Sequence, residues 1–475
     1  MAFGSVEFLF YFLPILWFST SCFGVKKLLF LIFSLIFYTW GEGIYVLLLI
    51  GVVYFNFIIA KYFKYDKYKK LLLVIVVVVD LSLLFYFKYF GFLKTVFSNN
   101  FHGVTRYDGS TDIHLPLGIS FFIFQIISYS VDRYRGIISP KEKFIDVLLY
   151  ISMFPHQLAG PIVRFSDIKE YLNKLSITTS SFVVGLNIFT IGLCQKILIA
   201  DTFAEVADEI FAIPVAELSL VNAWIGGIAY AIQIFYDFQG YSIMATGIAV
   251  QFGIFFPRNF YWPYSSTSIT EFWRRWHITL SQWVRDYVYI PLGGNRIGEK
   301  RTALNLVIVF ILCGLWHGAN LTFVLWGLYH GLFLSIERFL NRFTKFKTPD
   351  IIKHFYTLSV VTVGWVLFRS KNLIDAREYI KTMFDVTRLF NDVYPIDKYF
   401  RLDYVVVLII AVLLSTAHPY NYFKKYIKWP ECNEDIKYIF TNLSLKINLI
   451  YYFLLTICII NIIAEKYKPF IYFKF

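Results

Sequence analysis

Residues 302–336 read TALNLVIVFILCGLWHGANLTFVLWGLYHGLFLSI, 35 positions with no Asp, Glu, Lys or Arg and with His317 near their centre. A membrane crossing takes about 20 apolar residues at 1.5 Å each, so one pass cannot use up this stretch. Its flanks decide the rest. Residues 258–301 carry seven Arg/Lys against three acids, and 338–353 carry five against one. Both flanks favour the cytoplasmic side, which makes the stretch a helical hairpin with its turn, Gly314-Leu315-Trp316-His317-Gly318-Ala319-Asn320, lying deep. An ionisable residue at that depth is a functional candidate by default. Neutral imidazole can take a proton from a hydroxyl near pH 7, and Asn320, three residues on, is placed to orient the ring or a bound carbonyl. The bland alternative is a histidine satisfied by a backbone carbonyl inside a helix bundle.

The remainder of the chain has the same character. Of its 475 residues 58% are hydrophobic, 21% are aromatic and only 16% are charged. Soluble domains carry about 25% charge, so the composition excludes a soluble enzyme, a disordered chain and a nucleic-acid binder. The net charge of +13 reads as lysine and arginine of cytoplasmic loops. Uncharged runs at 8–25, 113–131, 147–163, 175–195, 354–368, 404–423 and 447–464, with longer apolar stretches at 28–60, 71–93 and 218–257, predict an all-α polytopic membrane protein. The expected count is about 11 membrane segments in a single domain over 1–475, plus re-entrant and interfacial helices, with the chemistry concentrated in 147–336. The first charge is Glu7, so 8–25 reads as a retained span. Five cysteines, far apart and without a CxxC, argue against a disulfide framework or a zinc site.

The lysine-rich segment 61–70 belongs in the cytoplasm by the positive-inside bias. From there the N-terminus and the tail 465–475 come out external. The acidic segment 196–217 is assigned outside, and 147–163, with Pro155 and Gly160-Pro161, becomes a re-entrant loop. Irregular backbone survives at membrane depth only where protein or water satisfies it, so a buried cavity is implied. The parity of 218–257 stays open.

A second constellation runs from Ser268 to Tyr289. Ser268 with Glu271 fits a capping box. On one continuous helix Trp273, Trp276, Leu280, Val284 and Tyr287 form an apolar stripe, and Arg274, His277, Ser281 and Arg285 a polar one. The helix is either an anchor on the membrane surface or a wall whose polar stripe faces a cavity, with Arg274 or Arg285 meeting an anionic, phosphate-bearing donor. His330, Asp80 and Asp237 are weaker candidates, and His102 and His114 read as solvated loop residues.

Four stretches together resemble one family: Phe154-Pro-His-Gln-Leu-Ala-Gly-Pro-Ile-Val-Arg164, Phe272-Trp-Arg-Arg-Trp-His-Ile278, Arg285-Asp-Tyr-Val-Tyr-Ile-Pro-Leu-Gly-Gly-Asn295 and Gly314-Leu-Trp-His-Gly-Ala-Asn320. They look like the membrane-bound O-acyltransferases, in the bacterial branch that O-acetylates exported polysaccharides, over nearly the whole chain. The resemblance implies a helix bundle with a tunnel from a cytoplasmic donor side to an external acceptor side, His317 as the catalytic histidine and His277 as the second motif histidine. Acetyl-CoA is the implied donor, with no tightly bound cofactor. An external esterase-like (SGNH-type) partner and a cell-envelope polysaccharide are the implied partners, besides membrane lipid. The aromatic tail Lys468–Phe475 resembles the branch's C-terminal motif, in which a tyrosine, here Tyr472, takes the acyl group. Leu321, where tryptophan is expected, the register of His156-Gln157, and Lys474, where glutamine is expected, depart from the pattern. The Phe-, Lys-, Ile- and Tyr-rich composition fits an AT-rich genome, which favours peptidoglycan over alginate as acceptor. D-alanyl transfer to teichoic acid and transport of a polysaccharide precursor are the alternatives, and the location expected is the bacterial cytoplasmic membrane.

Overall fold

The computed structural model describes residues 1–98, 114–343, 348–391, 393–417, 445–464 and 470. Tyr472, Lys474, His102, Cys432 and nearly all of the basic stretch 424–446 lie outside the described residues. Within them the chain is helical, with no strand. In order the helices are α1 (Leu13–Phe23, entered through a π turn at Glu7–Phe12), α2 (Lys27–Glu42), α3 (Tyr45–Lys61), α4 (Lys69–Ser98), α5 (Ile119–Tyr134), α6 (Phe144–Ser152), α7 (Phe154–Gln157), α8 (Phe165–Asn173), α9 (Thr179–Cys194) and α10 (Asp201–Ala212). They continue as α11 (Leu220–Gln251), α12 (Ile269–Arg275), α13 (Ile278–Val284), α14 (Glu299–His317), α15 (Leu321–Phe343), α16 (Asp350–Arg369), α17 (Leu373–Met383), α18 (Leu402–Leu414) and α19 (Leu445–Ile463). Among the described residues five helical segments are long and apolar enough to cross a membrane, including Lys69–Phe92, Thr179–Ala212 and Glu299–His317.

The apolar stretch 28–60 breaks where its glycines are, at Gly43 with φ of 55°. The 40 residues whose parity the sequence left open hold one helix, α11, 32 residues long and so about 48 Å from end to end. Its partner is α9, and the two approach at glycines: a Cβ on Gly192 would lie 2.5 Å from the Gly240 carbonyl oxygen, and a Cβ on Gly240 2.7 Å from that of Gly192. Lipid supplies no hydrophobic drive between helices, so close packing through small residues does that work.

Within residues 196–217 the helix runs on through a π turn at Gln195–Ala200 into α10, which ends at Ala212. Lys196 reaches Asp201 at 2.6 Å and Asp237 of α11 at 3.0 Å, all three buried. Pairing lets charge remain inside a helix, which a count of acids cannot reveal. Asp237 is thereby a structural group. Asp80 likewise bonds Asn56 at 3.0 Å, which bonds Ser130 at 2.7 Å, tying three helices together. In the segment 147–163, α6 has nine residues, about 14 Å and short of a full crossing, and the residues beyond it stay buried through Val163.

Candidate active site

The hairpin forms as expected. Gly314 lets it close, since a Cβ there would sit 2.1 Å from the Phe323 carbonyl oxygen, and at Gly318 it would strike the Phe323 ring. The glycines around His317 therefore admit α15 and not a ligand. A helix carboxyl end leaves carbonyls without intrahelical partners. Here Lys88 of α4 fills that need, its ammonium donating to the Trp316 carbonyl and, at 3.0 Å, to that of His317, while the Tyr89 hydroxyl donates to the Leu315 carbonyl. The sequence reading passed over Lys88, although a lysine inside the apolar stretch 71–93 was itself the available signal.

The second constellation departs from expectation in a way that matters. Ser268 caps α12 by accepting from the Glu271 N–H at 3.0 Å, as foreseen, but Glu271 turns to Thr267 instead of completing the box. Glu337 of α15 bonds the Ile269 and Thr270 N–H groups at 2.6 and 2.9 Å, and a carboxylate suits a helix N-terminus. The helix then stops at Arg275. His277 takes the left-handed conformation, φ 42° and ψ 54°, before α13 begins. One continuous amphipathic helix is thus replaced by two short ones with His277 at the break. The break is held by an extended neighbour: Tyr261 N–H donates to the Arg275 carbonyl and Ile278 N–H to the Asn259 carbonyl, both at 2.9 Å. Trp262, with φ of 46°, is the other described non-glycine residue at positive φ. Such backbone costs about 1–3 kcal/mol per residue and clusters at functional sites.

Across the break the polar stripe still faces a single cavity. Arg274, His277, Ser281 and Arg285 line one cavity of about 450 Å³ together with His317, Cys313 and Arg338. This decides between anchor and cavity wall in favour of the wall. On the hairpin the lining follows one helical face, Leu306, Val309, Phe310, Cys313 and His317, so the cavity extends 11 residues along α14, about 17 Å. Aromatic rings fix the two histidines. The His317 ring meets Trp326 at 5.3 Å and Phe368 at 5.1 Å, and His277 meets Phe238 edge-on at 4.7 Å. The side chains of Arg274, Arg285 and Arg338 are exposed. Arg338 pairs with Glu299 at 2.9 Å and Arg285 with Asp286 at 2.7 Å. Burial alone would raise the Asp286 carboxyl, yet hydrogen bonds from Arg285 and Arg164 hold it below the usual range. No hydrogen bond or ion pair to Arg274 occurs among the described residues.

Other candidates fall outside the cavity. Asn320 does not orient His317: its oxygen accepts from Thr322 N–H at 3.1 Å and its amide donates to the Lys371 carbonyl at 2.9 Å. An asparagine directly before a helix is drawn to the free N–H groups there, and that local demand overrides the expected role. His330 is a core residue between Trp273 and Trp326. His114 is not simply solvated, as its ring bonds Glu42 at 2.8 Å. Among the described residues no His, Cys, Asp or Glu cluster is placed to hold a metal. Of the tail, Phe470 is buried against Tyr241 at 4.6 Å and lies 6.0 Å from Phe238, the ring that contacts His277.

Comparison with known proteins places this region within a known family. The model of the membrane-bound O-acyltransferase family matches residues 80–373, which include both histidines and the entire cavity lining. The chain is 38% identical to the "Probable alginate O-acetylase AlgI" of Pseudomonas putida across the full length of both. It is also 38% identical to the "Peptidoglycan O-acetyltransferase" of Helicobacter pylori over 80% of this chain and 78% of that one. The "Teichoic acid D-alanyltransferase" of Bacillus subtilis is 28% identical over 42% of this chain and 53% of its own. A helical membrane protein whose hairpin histidine and helix-break histidine face one arginine-rimmed cavity, the chain belongs to the membrane-bound O-acyltransferase family.

Proposed function

We propose that the protein is an O-acetyltransferase of the bacterial cytoplasmic membrane that carries acetyl from cytoplasmic acetyl-CoA towards an exported polysaccharide. The cavity supports this reading above all. It joins exposed guanidinium groups to two buried histidines over about 17 Å of helix. A donor with phosphates at one end and a thioester on a long arm matches that layout, since guanidinium pairs well with phosphate. Acetyl-CoA enters as substrate, with no resident cofactor. In this reading His317 is the general base. It takes the proton of an attacking hydroxyl as the oxygen bonds the thioester carbon; the C–S bond then breaks and the departing thiolate is reprotonated. His277 orients the reacting groups.

Polysaccharide is too bulky to reach His317 among packed helices, which favours a small relay. Tyr472 is two residues beyond Phe470, a reach of at most about 7 Å. The burial of Phe470 one ring away from His277 supports a tail that docks by the site. The phenol would receive acetyl as an ester and pass it to the serine of an external esterase-like partner, and thence to the sugar. Relatives named for alginate stand at 38% and 42% identity and one named for peptidoglycan at 38%, so the relatives lean to alginate and the preference for peptidoglycan rests on composition alone. Both termini external completes the proposed topology.

The test is His317→Ala at normal protein level, with alkali-labile acetate measured on peptidoglycan and on any alginate. Loss of ester is expected. Unchanged ester would refute the enzyme reading, and loss of esterified alanine instead would move the assignment to D-alanyl transfer.

A further inference from the structure

Asn259 lies on the extended segment before α12, outside every motif noted in the sequence, and is 3% exposed. Its side-chain oxygen is a meeting point. It receives the Thr279 backbone N–H at 3.4 Å, the Thr279 hydroxyl at 2.9 Å and the His277 Nδ1 at 3.0 Å. A backbone N–H can only donate, so the shared atom is the amide oxygen and not its nitrogen. Asn259 Nδ2 agrees, donating to the Ser242 hydroxyl at 3.1 Å. The Thr279 hydroxyl accepts from Ile162 N–H at 2.9 Å, which leaves its own proton for Asn259. An oxygen acceptor opposite Nδ1 requires the imidazole proton to be on Nδ1. In the neutral ring Nε2 then carries only a lone pair. That Nε2 is buried without a protein partner among the described residues, on a residue that lines the cavity.

We propose that Asn259 is a positioning residue of the transfer reaction: it holds His277 in the Nδ1–H tautomer, so that His277 offers a hydrogen-bond acceptor, and not a donor, to the reacting groups. Neutral His277 therefore steers an incoming O–H or N–H and does not stabilise an oxyanion. The backbone reinforces the lock, because the same asparagine's carbonyl bonds Ile278 N–H and fixes the break that carries His277. The proposal rests on the reading of His277 as the group that orients the reactants. The other titratable groups lining the cavity are His317, Cys313, Tyr289, Arg274, Arg285 and Arg338, and among the described residues no carboxylate lines it to set the tautomer in place of Asn259.

The experiment uses the full chain in detergent, acetyl-CoA as the probe and release of the CoA thiol as the readout, across the pH range. His317→Ala is the control: if it releases thiol like the wild type, the transferase reading itself fails, whatever Asn259 does. Asn259→Leu is expected to lower kcat by about 100-fold with KM unchanged, a wrong tautomer being among the costlier defects of a histidine site. Asn259→Asp keeps the acceptor and adds a charge that favours imidazolium, so turnover persists and the acidic limb of its pH profile moves up by about one unit. Wild-type kcat in Asn259→Leu overturns the proposal. An unshifted profile in Asn259→Asp also overturns it, and that near-isosteric variant decides alone if the leucine variant does not fold.

Discussion

Replacing Lys88 by methionine removes the ammonium that closes the carboxyl end of α14 while keeping an unbranched side chain of similar length. Two charge-assisted bonds are lost, to the carbonyls of Trp316 and His317. Each is worth about 1.5–3 kcal/mol, and the favourable alignment of a cation with the helix dipole goes with them. The Tyr89 bond to the Leu315 carbonyl remains, so the turn loosens without unwinding. If about 2–3 kcal/mol of the loss appears as misplacement of His317, kcat falls by about 30- to 150-fold. Lys88 does not line the cavity, so KM for acetyl-CoA should hold. Lys88→Arg keeps a cation and should recover part of the turnover. The assay is thiol release in detergent, with kcat and KM fitted separately and the thermal midpoint recorded on the same samples. Wild-type kcat in Lys88→Met would refute the argument that this cap positions His317.

Two further outcomes follow from the site. Cys313 lines the cavity one turn before His317, so Cys313→Trp should block the donor's approach and abolish thiol release in protein that still elutes as folded, while Cys313→Ser stays near wild type; wild-type kinetics in the tryptophan variant would remove the donor from this cavity. Tyr472→Phe keeps the ring and removes the nucleophile, so polymer acetylation should stop, whereas the wild type made without its external partner should yield an acetylated C-terminal peptide by mass spectrometry. Full polymer acetylation in Tyr472→Phe would leave the tail as an anchor only.

The sequence alone determined the features that depend on a residue's own solvation or its near neighbours. A charge costs free energy in hydrocarbon wherever its partners are, so uncharged runs placed the helices, the break at Gly43 and the hairpin around His317. The Ser268 cap was legible because it acts over three residues. The four motif stretches also carried the family. What only the tertiary structure decided depends on partners far apart in the chain. Lys196 is tolerated because Asp237, on another helix, neutralises it. The expected single helix is two pieces where Asn259 and Tyr261 bond backbone at 275–278, beside His277. Lys88 found its purpose 229 residues away, at the carbonyl of His317, and Asn320 lost the expected one to the N–H of Thr322. Hydropathy is additive along a chain and can be read in one dimension, whereas hydrogen bonds and ion pairs are directional and between partners, and only the folded packing chooses the partner.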